Sequence, residues 1–258
     1  MNSDCAVVVL SCDKYSDVWP FTLASLERYY DNFNKIYFVS NEIEVIQDNI
    51  TNIKVGADLN WSSSLIKALN MISEKYLLIL LEDMIIDSNV NNETLLYGYS
   101  LIESNSFQHL QFSNFKKPNV RYLNEKLGVY DVGAPYSVNV MGYWNKDILS
   151  KLLIEGESPW NFEVFGSYRM QYFGKSGSII PSPFNYLHLI EKGRWIPGIC
   201  RILNIKYPDI STKNRRDSTG GYKFLSQIKS FLFNSISNIP WKYRLYFTNI
   251  FRKLFGTY

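Results

Sequence analysis

Two apolar runs dominate the chain: Ala6–Ser11, read Ala-Val-Val-Val-Leu-Ser, and Tyr76–Leu81, read Tyr-Leu-Leu-Ile-Leu-Leu. Runs of this length without alternation, framed by polar residues, predict strands buried on both faces of an α/β sheet. Between them Trp19, Leu23, Leu26 and Tyr30 recur at helical spacing, with Ser16 or Asp17 as the expected cap and Pro20 in the first turn. Lys35–Ser40 and Asn52–Val55 predict further strands, and Ser62–Lys75 a helix with Leu65, Leu69 and Ile72 towards the sheet. The resulting order, β-α-β-β-α-β with short connections, favours a mostly parallel, doubly wound sheet.

Beyond Asp83 the pattern shortens. Asn92–Asn105 predicts a helix, and 108–113, 120–123, 129–132 and 136–144 read as antiparallel strands or loops. Asn145 caps a helix running through Ile154, and Ser158-Pro159 opens another that reaches Gln171. Strands at 179–180 and 185–190 precede a turn-rich loop at 193–198. The polar, glycine-ended stretch Ser211–Gly221 reads as a linker. The expected organisation is a domain at 1–210, a linker at 211–221 and a helical tail at 222–258. In that tail Phe224, Ile228, Leu232 and Ile236 recur at i+4 spacing, and Trp241, Leu245, Phe251 and Leu254 resume after Pro240.

Composition and charge narrow the picture further. At 46% hydrophobic and 20% charged, the 258 residues suit a globular protein. The 19 tyrosines and 6 tryptophans suit carbohydrate or membrane-interface surfaces as well as an ordinary core. Cys5, Cys12 and Cys200 show neither paired nor metal-ligand spacing, which fits a reducing cytosol. No signal peptide and no apolar run of about 18 residues is recognisable, so a cytoplasmic location is expected. The net charge of +3 conceals an asymmetry: from Lys213 to Tyr258 nine basic residues face Asp217 alone, giving that segment +8 and the remainder −5. A basic, aromatic-rich amphipathic tail is suited to an anionic membrane surface, at about 1 kcal/mol per basic residue. The competing reading is a helical cap on the domain. Charge alone would also suit nucleic acid, but no nucleic-acid-binding motif accompanies it. The first strand is followed by no glycine-rich fingerprint, and no Walker sequence occurs, which argues against a dinucleotide-binding Rossmann enzyme and a P-loop NTPase.

Several segments carry candidate chemistry. Glu82 and Asp83 follow a buried strand, and open α/β sheets bind ligands at the carboxyl ends of their strands. Asp58, Asn60, Trp61 and Ser64 form a polar cluster at the start of a helix, whose free N–H groups suit a phosphate or a sugar hydroxyl; capping by one of the serines is the plainer alternative.

Four segments together carry a resemblance: a leading strand followed by Cys12-Asp13-x-Tyr15-x-Asp17, a strand ending in Leu81-Glu82-Asp83-Met84, Pro159-Trp160-x-Phe162-Glu163, and a late His188-x-x-x-x-Gly193-Arg194-Trp195. From Val7 to Gly198 the chain resembles bacterial GT-A-type glycosyltransferases, cytoplasmic enzymes that build surface polysaccharide such as O-antigen or capsule. The resemblance implies a GT-A-like Rossmann-type mixed sheet flanked by helices. It further implies transfer of a sugar, with inversion, from a nucleotide-sugar donor (a UDP-sugar) to a lipid-linked saccharide, by an enzyme peripheral on the inner face of the cell membrane.

It also implies roles for residues. Asp83 would be the ligand of a divalent cation, Mn²⁺ or Mg²⁺, bridging the donor's phosphates, with Glu82 as its support and His188 as a further candidate ligand. The position that often holds another acid is Met84 here, which weakens the metal assignment. Cys12, Asp13 and Tyr15 would meet the nucleoside, and Asp58, Trp61 and Ser64 would help to hold the donor. Lys192 and Arg194 would clamp its diphosphate. Trp160 and Phe162 would stack on the acceptor sugar while Glu163 removes the proton of the attacking hydroxyl. The plainer readings are a first-turn acid favoured by the helix dipole for Glu163 and a hydrogen-bonded structural side chain for His188. Two other function classes fit parts of the pattern: a nucleotidyltransferase on a related sheet, and a non-catalytic, membrane-attached carbohydrate-binding protein. His109 receives no role.

Overall fold

The computed structural model describes residues 4–30 and 35–217. The expected tail at 222–258 and the end of the expected linker lie outside the described residues. The chain divides into two compact units, Met1–Tyr186 and Leu187–Tyr258.

In the first unit the elements are β1 (Cys5–Leu10), a 3₁₀ turn (Asp13–Tyr15), α1 (Trp19–Tyr29), β2 (Ile36–Ser40), β3 (Ile50–Lys54), α2 (Trp61–Met71), β4 (Tyr76–Leu81), β5 (Met84–Ile86), α3 (Asn92–Glu103), β6 (His109–Phe112), β7 (Val120–Tyr122), β8 (Leu127–Tyr130), β9 (Gly142–Asn145) and α4 (Lys146–Leu152). A composite helix follows: α5 (Pro159–Asn161), a π-helical turn (Phe162–Gly166) and α6 (Ser167–Met170), then β10 (Ser176–Ile179). Among the described residues nine strands form one sheet in the order β3-β2-β1-β4-β9-β6-β10-β8-β7. The β3-β2-β1-β4 block is parallel, and β9 runs antiparallel to both β4 and β6. Two reversals restore direction, so β6, and β10 parallel to it, end at the same edge as β1 and β4.

The two long apolar runs are explained by burial on both faces. Cys5, Val7 and Val9 of β1 and Tyr76, Leu78 and Leu80 of β4 join one core with Trp19 and Leu26 of α1 and Leu95, Tyr99 and Ile102 of α3. Ala6, Val8 and Leu10 with Leu77 and Ile79 face the opposite core, shared with α2, α4 and Phe162. At about 1.5–3 kcal/mol for each large side chain removed from water, these central strands anchor the unit. Helix α3 comes close because residue 98 is glycine: a Cβ there would lie 2.9 Å from the Ile179 side chain and 3.0 Å from the Tyr143 ring.

Two expectations at the start of the chain are revised. The cap of α1 is Val18, with no side-chain hydrogen bond, because the 3₁₀ turn takes up 13–15 and carries Ser16 and Asp17 away from the capping position. The acidic doublet closes a tight turn from β4 into β5, a strand that apolar periodicity did not reveal.

Strand β11 (Tyr186–His188) spans the division between the units. The second unit contains β12 (Ile190–Glu191) and β13 (Arg194–Trp195), which form a hairpin, then α7 (Ile199–Lys206). The start of the expected linker is fixed here: Trp195 donates its Nε1–H to the Thr212 carbonyl at 3.0 Å and its backbone N–H to the Arg216 carbonyl at 3.1 Å. Residues 212–216 therefore pack as part of this unit.

Candidate active site

The turn carrying Glu82 and Asp83 is held from below by α1. The Thr22 hydroxyl donates to the Glu82 carbonyl at 2.6 Å, and the Ser25 hydroxyl to the Ile86 carbonyl at 2.7 Å. Both hydroxyls are buried, so each fixes a strand-end carbonyl that water cannot reach. Glu82 is 9% exposed and Asp83 is more open. Because Leu10 lies opposite Leu81 in the parallel pair, the loop after β1 leaves the sheet beside this turn. Cys12 registers the closeness: burial first, then the charges of Glu82 and Asp58, push its thiol pKa up.

The neighbouring loops are tied together by Asp13. Its carboxylate accepts from the backbone N–H groups of Asn41 at 3.0 Å and Glu42 at 3.0 Å, and from that of Ile43 at 3.3 Å. Its own N–H donates to Asn41 Oδ1 at 3.0 Å. Asp13 thus organises the loop after β2. Tyr15 closes the same 3₁₀ turn, half-buried. Lys14 reaches Asp58 at 3.1 Å. Asn60, rather than a serine, caps α2: its Oδ1 accepts from Ser63 N–H at 2.9 Å and Ser62 Oγ–H at 3.0 Å. The Ser64 N–H meets the Asn60 carbonyl at 3.2 Å.

On the other side of the same edge stands the composite helix. Ser158 caps it, as its sequence predicts, and Pro159 takes the first helical position. Arg169 locks it through paired hydrogen bonds to Glu157 at 2.9 and 2.6 Å and an Nε–H bond to the Leu152 carbonyl at 2.8 Å. Glu163 lies within the π-helical turn, a wider winding that recurs at functional sites. Its carbonyl accepts from Ser167 Oγ–H at 2.6 Å and Tyr136 N–H at 3.2 Å. Burial pushes the Glu163 carboxyl up to about 7, against the opposing pull of the Lys117 ammonium. Lys117 comes from the loop after β6 and is itself shifted down, by burial, with Glu163 acting in the other direction. The two loops are coupled: Gln111, on β6, donates to the Tyr136 carbonyl at 3.0 Å.

The two aromatics predicted to stack on a sugar separate. Trp160 is 57% exposed. Phe162 is fully buried, its ring 5.5 Å from Trp61 and 6.0 Å from Trp144, so it is a core residue and cannot meet an acceptor. Trp61, in contact with Phe162, is half-buried at the start of α2.

In the second unit His188 is exposed, as are Lys192 and Arg194 on the β12–β13 hairpin. Lys192 and Gly193 both have positive φ, 50° and 74°, the signature of a two-residue hairpin turn. Among the described residues no group of three or more His, Cys, Asp or Glu side chains is arranged to hold a metal ion. The Glu82–Asp83 turn fits a different mode, in which one or two carboxylates and substrate phosphates share a magnesium-like ion. Sequence reading missed Lys117, whose partial burial arises only from the tertiary fold. It left His109 without a role, and the structure gives it one in the core: the ring stacks on Trp144 at 3.9 Å, Nδ1 bonds the Tyr143 carbonyl at 2.8 Å, and Nε2 accepts from Asn139 N–H at 3.2 Å.

No protein-family profile matches the sequence, and no curated protein does. Among solved structures, Staphylococcus aureus TarS residues 1–349 align at 14% identity and a TM-score of 0.45, over 71% of this chain and 59% of that one. A UTP-bound UGPase from Acinetobacter baumannii aligns at 10% identity and a TM-score of 0.47, over 73% and 88%. The bifunctional IspDF of Campylobacter jejuni aligns at 14% identity and a TM-score of 0.42, over 65% and 47%. The chain therefore spans less than two thirds of the TarS fragment it matches.

Proposed function

We propose that the chain is a glycosyltransferase that binds a nucleotide-sugar, a UDP-sugar in the first instance, beside the Glu82–Asp83 turn and passes the sugar to a saccharide hydroxyl with inversion. The observation that carries this reading is Glu163: a carboxyl with a pKa near 7, on a π-helical turn, three residues from the exposed Trp160. A base with that pKa is half ionised at neutral pH and still strong enough to accept a proton.

In the proposed step the acceptor oxygen attacks the anomeric carbon and forms the new glycosidic bond. Its proton passes to a Glu163 carboxylate oxygen, and the bond from the anomeric carbon to the diphosphate breaks, releasing the nucleoside diphosphate. Trp160 offers a flat face for the acceptor ring. Asp83, supported by Glu82, would hold a divalent cation, which when bound neutralises charge on the leaving diphosphate. Asp13 acts indirectly, by fixing the loops around the nucleoside. The lipid-linked acceptor and the membrane-bound tail belong to the same proposal, supported by the +8 charge of residues 213–258 and their interleaved aromatics. No helix among the described residues is long and apolar enough to cross a membrane.

The test is product analysis with UDP-sugars and saccharide acceptors, with and without Mn²⁺ or Mg²⁺. Acceptor-dependent release of UDP supports the reading. Release of pyrophosphate from a nucleoside triphosphate would assign a nucleotidyltransferase instead, and sugar binding without nucleotide binding a carbohydrate-binding protein.

A further inference from the structure

Lys117 and Glu163 form an incomplete pair. Each charge shifts the other's titration, yet no ion pair within 4.0 Å joins them. Both are half-buried, where a charged group gains from a hydrogen-bonding partner. The position of Lys117 is imposed, since its backbone N–H donates to the Tyr122 hydroxyl at 2.7 Å and its ammonium sits 4.8 Å from the centre of the Phe115 ring. Phe115 is 66% exposed, Lys116 lies 5.4 Å from the Tyr122 ring, and Arg121 is exposed on β7. The loop after β6 therefore presents positive charge and an aromatic face, and β6 itself is tied to the proposed base through Tyr136, whose carbonyl accepts from Gln111 and whose N–H donates to the Glu163 carbonyl.

We infer that this loop recognises an anionic group on the acceptor, so that the acceptor is an acidic saccharide carrying phosphate or carboxylate near the attacked hydroxyl. The inference rests on the reading of Glu163 as the acceptor-side base. A hydroxyl donating to Glu163 and an anionic oxygen accepting from Lys117 complete both groups at once, which a neutral sugar does less well. Lys116 and Arg121 extend the positive field outwards and favour capture of a negatively charged acceptor. Phe115 adds an apolar face for the sugar ring.

Binding to the full chain, measured by NMR titration with a neutral methyl hexoside, its 6-phosphate and the matching hexuronide, tests this. UDP binding is measured in parallel. At least one acidic saccharide should bind tenfold or more tighter than the neutral one, and the tighter of the two names the anionic group. Lys117→Met should abolish that preference, Lys117→Arg should keep most of it, and UDP affinity should stay unchanged in both. If Lys117→Met does not fold, the double variant Lys116→Gln/Arg121→Gln should reduce the preference threefold or more. Equal binding of acidic and neutral saccharides, or a preference unaffected by these substitutions, overturns the inference while leaving the transferase reading intact. Failure of the wild-type chain to bind UDP is evidence against the transferase reading itself.

Discussion

The Thr22 hydroxyl reaches across from α1 to donate to the Glu82 carbonyl at 2.6 Å, holding the acidic turn at the end of β4. Thr22→Val keeps the shape and removes the donor, leaving a buried carbonyl without that bond. The cost expected in urea unfolding is about 1–3 kcal/mol. Because the turn carries Asp83, the variant should also raise the KM for the nucleotide-sugar more than it lowers kcat.

Asp13 offers a cleaner separation of architecture from ligand binding. Three backbone N–H groups, those of Asn41, Glu42 and Ile43, converge on its carboxylate. Asp13→Ala should lose about 1–3 kcal/mol of stability in the absence of any nucleotide. A variant as stable as wild type but weak in UDP binding would return Asp13 to the direct nucleoside contact read from the sequence.

The raised pKa of Glu163 has two consequences with opposite pH dependence. As a base it must be ionised, so transfer activity should rise with pH through about 7. Lys117 favours the ionised form, so Lys117→Met should move that rise to higher pH. For stability, a carboxyl whose folded pKa lies above its unfolded value stabilises the fold below the unfolded pKa of 4.5 and loses that contribution as pH rises through about 7. Glu163→Gln should therefore be more stable than wild type at pH 8, by about 1–3 kcal/mol, with no such advantage at pH 4, in paired denaturation curves.

His109 works in the other direction. Burial lowers its pKa from 6.5 to about 3, so the fold holds it neutral. Its contribution is fully present above pH 6.5 and declines as pH falls towards 3, by at most about 1.4 kcal/mol per pH unit. His109→Gln should flatten the acid limb of the stability curve between pH 6 and 5. An unchanged slope would mean that the ring titrates normally.

The parts legible in the sequence were those set by local rules. Tyr76–Leu81 has the bounds its apolar run predicts, because burial on both faces removes every polar position. Asn145 and Ser158 cap the helices that follow them, since their side chains meet their own backbones. Phe162 shows what was legible but misread. Residues two apart on a helix point about 200° away from each other, so Trp160 and Phe162 cannot both face a ligand. The π-helical turn at Phe162–Gly166 left no such signal in the apolar periodicity. Helix α7 was hidden behind Pro197-Gly198, read as part of a loop although Gly198 is its N-cap. Lys117 sits in a polar stretch of ordinary composition, and only the fold brings it near Glu163.

The most direct test of the account compares wild type with Glu163→Gln in two measurements at pH 7.5: calorimetric UDP binding and acceptor-dependent UDP release from a UDP-sugar. UDP affinity should be unchanged within about twofold, while transfer falls by about 10²–10⁴-fold, the usual contribution of a positioned base. Transfer at the wild-type rate in Glu163→Gln would contradict the account.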